Sequence, residues 1–215
     1  MVALSADGTT ALIGAPQKIV AGHRWQGAVY VFVRSGSTWR QQQELTAPDG
    51  TTDDQFGWSV ALSTDGNTAL IGDAFKTMGR NRDQGAAYVF VRGGSSWSPQ
   101  QRLTAADGAR GAFFGDTVAL SGDGRTALSA GTHGVLRAAY VFVRRRGAWS
   151  QQQEFAPSVR AVNDGFGDAV ALSADGTTSL IGADDRNVGS KSRQGTAYVF
   201  GPRTQAAATA TNRAG

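Results

Sequence analysis

The chain has no cysteine, and only two histidines and five prolines among its 215 residues. Without thiols there are no disulfides and no thiolate metal sites, although this does not separate a cytoplasmic protein from a secreted bacterial one. Two histidines, His23 and His133, are too few for a metal cage unless carboxylates cluster beside them. No apolar run approaches the roughly 18 residues needed to cross a bilayer as a helix. There is no Gly-x-Ser-x-Gly elbow, no phosphate-cradling Gly-Lys-Ser/Thr and no Gly-x-Gly-x-x-Gly turn. An excess of one charge sign is nearly missing: 21 Lys and Arg against 17 Asp and Glu leave a formal +4, which permits weak attraction to anionic surfaces and names no partner. Met1 is followed at once by Val-Ala-Leu-Ser, the second half of a repeat strand, so the start reads as no signal peptide. With 40% apolar and 9% aromatic residues, the chain has enough to bury a core.

What is present is a repeat. A Ser closing a short apolar run recurs at Ser5, Ser63, Ser121 and Ser173, in steps of 58, 58 and 52 residues. The Tyr of a Tyr-Val-Phe run recurs at Tyr30, Tyr88, Tyr140 and Tyr198, always 33 residues before the next Ser. The third copy has therefore lost six residues from one loop, between Ala130 and Arg137. Self-similarity on this scale means an array of supersecondary units that share cores with their neighbours.

In the second copy, Phe56 to Ser63 reads as a strand and Asp65-Gly66 as a tight hairpin turn. Asn67 to Gly72 is a second strand, and a loop of about a dozen residues leads to the β-branched and aromatic Ala86 to Arg92. Trp97 to Thr104 is a more polar fourth strand, and Pro99 suits it to an edge because proline cannot donate a ladder hydrogen bond. Four short antiparallel strands per unit, with no helical periodicity, predict an all-β propeller. It has about four blades, at roughly 1–47, 48–105, 106–157 and 158–203, three of them complete and with strands missing at the edges of the first and last. Residues 204–215, small and polar, read as a disordered tail. The ends look uncapped, so an open arc or a fragment of a larger propeller is expected, with apolar edges that invite self-association.

The Phe-Gly pairs (Phe56-Gly57, Phe114-Gly115, Phe166-Gly167) and the Ile-Gly-Ala runs (Ile13-Gly14-Ala15, Ile181-Gly182-Ala183) resemble the FG-GAP repeat of integrin α subunits and many bacterial surface proteins. Gly14-Ala15-Pro16 keeps the whole second motif, and Gly-Ala-Ala-Tyr-Val-Phe-Val-Arg with Trp-x-x-Gln-Gln resembles the bacterial branch. The resemblance runs from Val2 to about Phe200 and implies an extracellular or cell-surface binding or adhesion module. It also implies a place to look for calcium, at the first hairpin. There the family's ligand positions fall on Ala61, Ser63, Asp65, Gly66 and Ala69, so one carboxylate survives where a hard cation needs several. Asp7, Asp65, Asp123 and Asp175 therefore read as plain turns, with no metal and no cofactor. Asp49, Asp53 and Asp54 crowd the loop before one Phe-Gly, but the counterparts keep only Asp107, or Asn163 with Asp164; a solvated acidic loop is the expectation.

No His has a patterned Asp or Ser partner, so no catalytic residue is proposed and the protein is not expected to be an enzyme. Trp39, Trp97 and Trp149 share one repeat position, which reads as packing between blades before it reads as a sugar platform. The candidate binding surface is the loop between second and third strands, which every blade presents on one face: Lys18, His23, Arg24 and Trp25; Lys76, Arg80 and Arg82; Arg186, Lys191 and Arg193, joined by Phe75 and Met78. Solubilising charge is the competing reading of that rim. Arg144-Arg145-Arg146 lies at a hairpin on the opposite face, and without interleaved aromatics nucleic acid is not an expected partner. The expected function is non-enzymatic binding of a protein or glycan. A truncated structural array with no ligand is the alternative, and a hydrolase-like or carbohydrate-binding propeller comes third.

Overall fold

The computed structural model describes residues 1–133, 136–157 and 164–201; the expected tail and Asn163 lie outside the described residues. The first sheet is β1 (Val2–Leu4), β2 (Thr10–Ala15), β3 (Ala28–Ser35) and β4 (Thr38–Leu45). The second is β5 (Ser59–Leu62), β6 (Thr68–Asp73), β7 (Ala86–Gly93) and β8 (Ser96–Leu103). The third is β9 (Thr117–Leu120), β10 (Thr126–His133), β11 (Leu136–Arg145) and β12 (Ala148–Phe155). The fourth has three strands, β13 (Phe166–Leu172), β14 (Ser179–Ala183) and β15 (Thr196–Phe200). Strands within each sheet pair antiparallel in chain order, and the inner strands β1, β5, β9 and β13 contact one another in sequence. The result is four propeller blades in an unclosed arc.

Each outer strand bulges at one register position, between Val31 and Phe32, Val89 and Phe90, and Val141 and Phe142 on its partner. Pro99 sits in that bulge opposite Phe90, where its missing N–H costs no ladder bond. The six-residue deletion in the third blade removes a loop without disturbing the ladder: β10 and β11 lengthen and pair as far as His133 and Leu136.

Core residues lie between blades. Leu12, Val29 and Val31 of the first blade pack on Phe56, Ile71, Tyr88, Phe90 and Trp97 of the second. Leu70 and Val89 meet Phe114, Tyr140, Phe142 and Trp149 of the third in the same way, and Leu128 and Ala139 meet Phe166, Ile181, Tyr198 and Phe200 of the fourth. The two motif glycines are explained by this packing. A Cβ on Gly14 would stand 2.1 Å from the carbonyl oxygen of Gly57, and one on Gly72 would stand 2.0 Å from that of Gly115. The glycine of Ile-Gly in one blade thus lies against the glycine of Phe-Gly in the next, where any side chain meets backbone. For this reason Phe56 and Gly57 stand outside the first strand, which is shorter than the sequence predicts. Phe56 instead makes a parallel bridge to Gly27 of the preceding blade.

The outer strands are joined by side-chain amides. Gln43 accepts from the Trp97 N–H at 2.7 Å and donates to the Trp97 carbonyl at 2.9 Å, while the indole donates to Gln42 at 3.2 Å. Gln101 and Gln100 hold Trp149 identically. A glutamine amide here reproduces the donor and acceptor of a neighbouring peptide group. Trp97 and Trp149 are buried, as packing residues should be, whereas Trp39 at the same repeat position in the first blade is 41% exposed.

Candidate functional site

The two ends of the blades are built differently. At one end the Asp-Gly hairpins are chained from blade to blade, Ala6 N–H to Thr64 O, Thr64 N–H to Gly122 O and Gly122 N–H to Ala174 O. Each hairpin is closed by its own aspartate. The Ser5 hydroxyl donates to Asp7 at 2.6 Å and the Thr9 N–H at 2.9 Å, and these bonds, Ser5 first, hold the Asp7 carboxyl down at about 2. Ser63 and Asn67 donate hydrogen bonds to Asp65 in the same arrangement, as do Ser121 and Arg125 to Asp123 and Ser173 and Thr177 to Asp175. These carboxylates serve turns and do not converge, so the residues present do not fit the calcium site that the fold family suggests.

The opposite end carries the long loops. The loop of one blade is pinned by the segment entering the next: the N–H groups of Asp53, Gln55 and Phe56 donate to the carbonyls of Arg24, Trp25 and Gln26. The N–H groups of Gly111, Phe113 and Phe114 donate to Arg82, Asp83 and Gln84 in the same pattern. Trp25, Asp83 and Arg193 adopt φ near +52°, +55° and +52° at one repeat position, so this left-handed turn belongs to the scaffold.

Two of the basic residues expected on this rim point inward, and a third is held by partners at the surface. Lys76 is buried, bonded to the Asp54 carboxylate at 2.8 Å, and also donates to the Asp49 carbonyl. Arg186 repeats the contact, reaching Asp164 at 2.7 Å. Asp54 and Asp164 both stand two residues before a Phe-Gly, and both are buried, which corrects the expectation of a solvated acidic loop at these two positions; Asp49 and Asp53 are exposed. Ala112 takes this place in the third blade, the blade whose loop is deleted. Lys18 turns to the Tyr30 hydroxyl at 2.6 Å and to Glu44 at 3.1 Å. Asp49 receives the Tyr88 hydroxyl and Arg102; burial opposes its ionisation, yet Tyr88, Lys76 and Arg102 together hold its carboxyl below the usual range.

Beside this network lies Asp73, where the other blades have Ala15, Gly131 and Ala183. Its side chain is fully buried and neither carboxylate oxygen has a hydrogen-bond partner. Burial first, and then the charge of Asp54, push its carboxyl well above the usual range.

The outward-facing residues form a groove of about 470 Å³ between the loops of the first and second blades. Arg24, Trp25 and Asp53 line one side, and Phe75, Arg82 and Phe113 the other. The Arg24 guanidinium lies 3.9 Å over the Trp25 ring. Trp58, Phe75 and Phe113 form an edge-to-face chain with centroids 5.3 and 5.5 Å apart. Trp58 is anchored by its indole N–H to Asp116 at 2.8 Å. Asp116 and Asp168 flank Arg137; burial pushes the Asp168 carboxyl up to about 6 against the pull of that guanidinium, and Asp184 adds to the rise. Two guanidiniums beside a partly exposed aromatic cluster can bind carboxylate and apolar groups side by side.

Of the rim residues read from sequence, the groove therefore gathers Arg24, Trp25 and Arg82. His23 is exposed beside Thr52, Arg80 and Lys191 are exposed, and Arg193 pairs with Asp185 in the fourth blade. The side chain of His133 lies outside the described residues. The sequence does not single out Phe113, Trp58 and Asp83, and it marks Asp53 only as part of an acidic loop. Their signal was departure from the repeat: Phe113 stands where other copies have Gln55 and Gly165, and Trp58 where they have Asp116 and Asp168. Among the described residues no three His, Asp or Glu side chains are grouped to hold a metal ion, and no helix is long and apolar enough to cross a membrane.

Comparison with solved structures finds this architecture in proteins of low sequence identity. Hydrazine synthase of Kuenenia stuttgartiensis is 18% identical with a TM-score of 0.58, over 93% of this chain and 45% of that one. The Dos1 propeller is 16% identical with a TM-score of 0.58, over 94% and 44%. TolB from Acinetobacter baumannii is 15% identical with a TM-score of 0.52, over 94% and 41%. The chain thus spans less than half the length of each. No curated protein sequence matches it. The FG-GAP repeat model matches three consecutive segments, 39–90, 97–142 and 149–200, each opening at or beside an outer-strand tryptophan and closing in or beside the Tyr-Val-Phe run of the next blade. A repeat phased this way carries one strand of one blade and three of the next, so each unit spans an interface; on this match over most of its length, the chain belongs to the FG-GAP repeat family.

Proposed function

We propose that this protein is a non-enzymatic binding module, and that the groove between the loops of its first two blades is where a partner sits. The observation that carries the reading is the grouping of Arg24, Trp25, Phe75, Arg82 and Phe113 around one open groove, while Lys76, next to Phe75 in the chain, turns inward. Tryptophan and arginine are the residue types that most often dominate binding energy at protein interfaces. A protein segment offering an apolar or aromatic side chain next to a carboxylate suits this chemistry: the ring meets Phe75 and Phe113, and the carboxylate meets a guanidinium. A glycan is the less favoured ligand, because one face of Trp25 is covered by Arg24. Binding needs no metal, since the hairpin aspartates are engaged within their own turns. An extracellular or cell-surface setting, and a role in adhesion, rest on family resemblance.

The test is a random-peptide phage library selected on the immobilised protein, with and without a chelator. Selected peptides should combine an aromatic with an acidic residue and bind equally in chelator. Selection of no groove-dependent peptide, with glycan-array binding that survives Trp25→Ala, would count against the assignment.

A further inference from the structure

The segment that enters a blade is tied to that blade's outer strand in the third blade by a bond that the second blade cannot make. In the third, the Ala106 N–H donates to the side-chain oxygen of Gln151 at 2.9 Å, and Gln151 stands opposite Phe142 at the strand bulge. In the second, Pro48 takes the place of Ala106 and Pro99 that of Gln151, opposite Phe90 at the same register. Pro48 has no N–H to give and Pro99 no amide to receive it, so both halves of the bond are lost together. At the two prolines lies a pocket of about 310 Å³, lined also by Asp49, Tyr88, Gln100 and Arg102. Its polar groups are unequally spent. Asp49 accepts from Tyr88 with one carboxylate oxygen and from Arg102 with the other. Arg102 replaces Glu154 of the third blade and is 41% exposed; Asp49 engages one of its nitrogens, which leaves the others to donate. Gln100 spends its oxygen on the Trp149 indole and keeps its amide N–H groups. The pocket therefore offers hydrogen-bond donors beside two apolar rings.

We propose that this pocket is a binding site for a single aromatic ring carrying a carboxylate. The negative face of the ring lies against the C–H groups of Pro48 and Pro99, and the carboxylate takes N–H groups from Arg102 and Gln100. The volume stands at the lower end of small-molecule sites, about 300 Å³, which suits one ring and its acid group. The pocket shares no lining residue with the groove between the first two blades, so the two sites stand or fall separately.

The experiment is a titration of the whole isotope-labelled chain with phenylacetate, read by the amide shifts in nuclear magnetic resonance spectra. The amides of Asp49, Gln100, Gln101 and Arg102 should shift saturably. Benzylamine, which reverses the charge, and acetate, which lacks the ring, should each bind roughly tenfold more weakly or worse. Pro48→Ala combined with Pro99→Gln installs the pair that closes the third blade; this variant should fold, as circular dichroism would verify, and lose the shifts. Arg102→Gln keeps the prolines and should weaken phenylacetate by roughly tenfold. Shifts confined to the groove residues Arg24, Trp25, Arg82 and Phe113, or no saturable shift at all, would overturn the proposal. Benzylamine binding as tightly as phenylacetate, or undiminished binding in both variants, would overturn it as well.

Discussion

The Lys76 ammonium is bonded to the Asp54 carboxylate 22 residues earlier, both side chains buried, and Arg186 meets Asp164 across the same 22 residues. The pair ties the long loop to the segment that enters its own blade, and its members adjoin the groove residues Asp53 and Phe75 in the chain. Removing one partner of such a pair leaves an uncompensated buried charge and costs roughly 3–5 kcal/mol. Lys76→Met should therefore lower unfolding stability by about that amount in urea denaturation, and adding Asp54→Leu should recover much of it. A single-variant loss below about 1 kcal/mol would mean that the ion pair is in exchange with water.

Asp73 predicts a pH dependence. Its carboxyl is raised in the folded chain above 3.8, the value expected when unfolded, so the native state holds a proton that the unfolded state has released. Its contribution to stability is complete below about pH 4 and is lost as pH rises toward the raised folded value. Asp73→Ala, which installs the residue found at Ala15 and Ala183, should raise the melting temperature at neutral pH and flatten the decline. Parallel curves for both proteins would place the titration elsewhere.

Ser129 is a polar defect in an apolar contact. It takes the place of Ile13, Ile71 and Ile181, it is buried, and its hydroxyl has no hydrogen-bond partner. Ser129→Val should stabilise the chain by about 1–2 kcal/mol, by removing an unanswered hydroxyl and adding apolar contact. No gain in the urea midpoint would mean that the hydroxyl finds a partner in solution.

The Gln–Trp clamps make an interface-specific prediction. Gln101→Ala strips partners from both the N–H and the carbonyl of Trp149 and should cost about 1–2 kcal/mol. Gln152→Ala, whose amide reaches only local acceptors at Ser150 and Gln151, should be neutral. Equal effects in thermal denaturation would reduce the clamp to a surface contact.

The fold was legible because its constraints are local and repeated. Phe-Gly and Ile-Gly mark a place where the backbones of adjacent blades touch too closely for a side chain, and Tyr-Val-Phe marks the strand that fills the gap between blades. The first strand was read too long because Phe56 alternates with its neighbours in sequence yet bridges to another blade. The site was legible in part. Arg24, Trp25 and Arg82 were found as loop residues, but a basic loop residue reads the same whether it meets solvent or a buried Asp. The 22-residue spacing from Lys76 to Asp54 and from Arg186 to Asp164 held that information. Phe113 and Trp58 carry no repeat signal, because Phe113 stands where other copies have Gln55 and Gly165 and Trp58 where they have Asp116 and Asp168.

The central claim is that a partner binds between Arg24, Trp25 and Arg82, and the most direct measurement is the affinity of a phage-selected peptide for wild type, Trp25→Ala, Arg82→Ala and Arg145→Ala. The account predicts that each groove variant weakens binding by roughly tenfold or more, about 1.4 kcal/mol, while Arg145→Ala at the hairpin end binds as wild type. Undiminished affinity in both groove variants, or equal loss in Arg145→Ala, would contradict it.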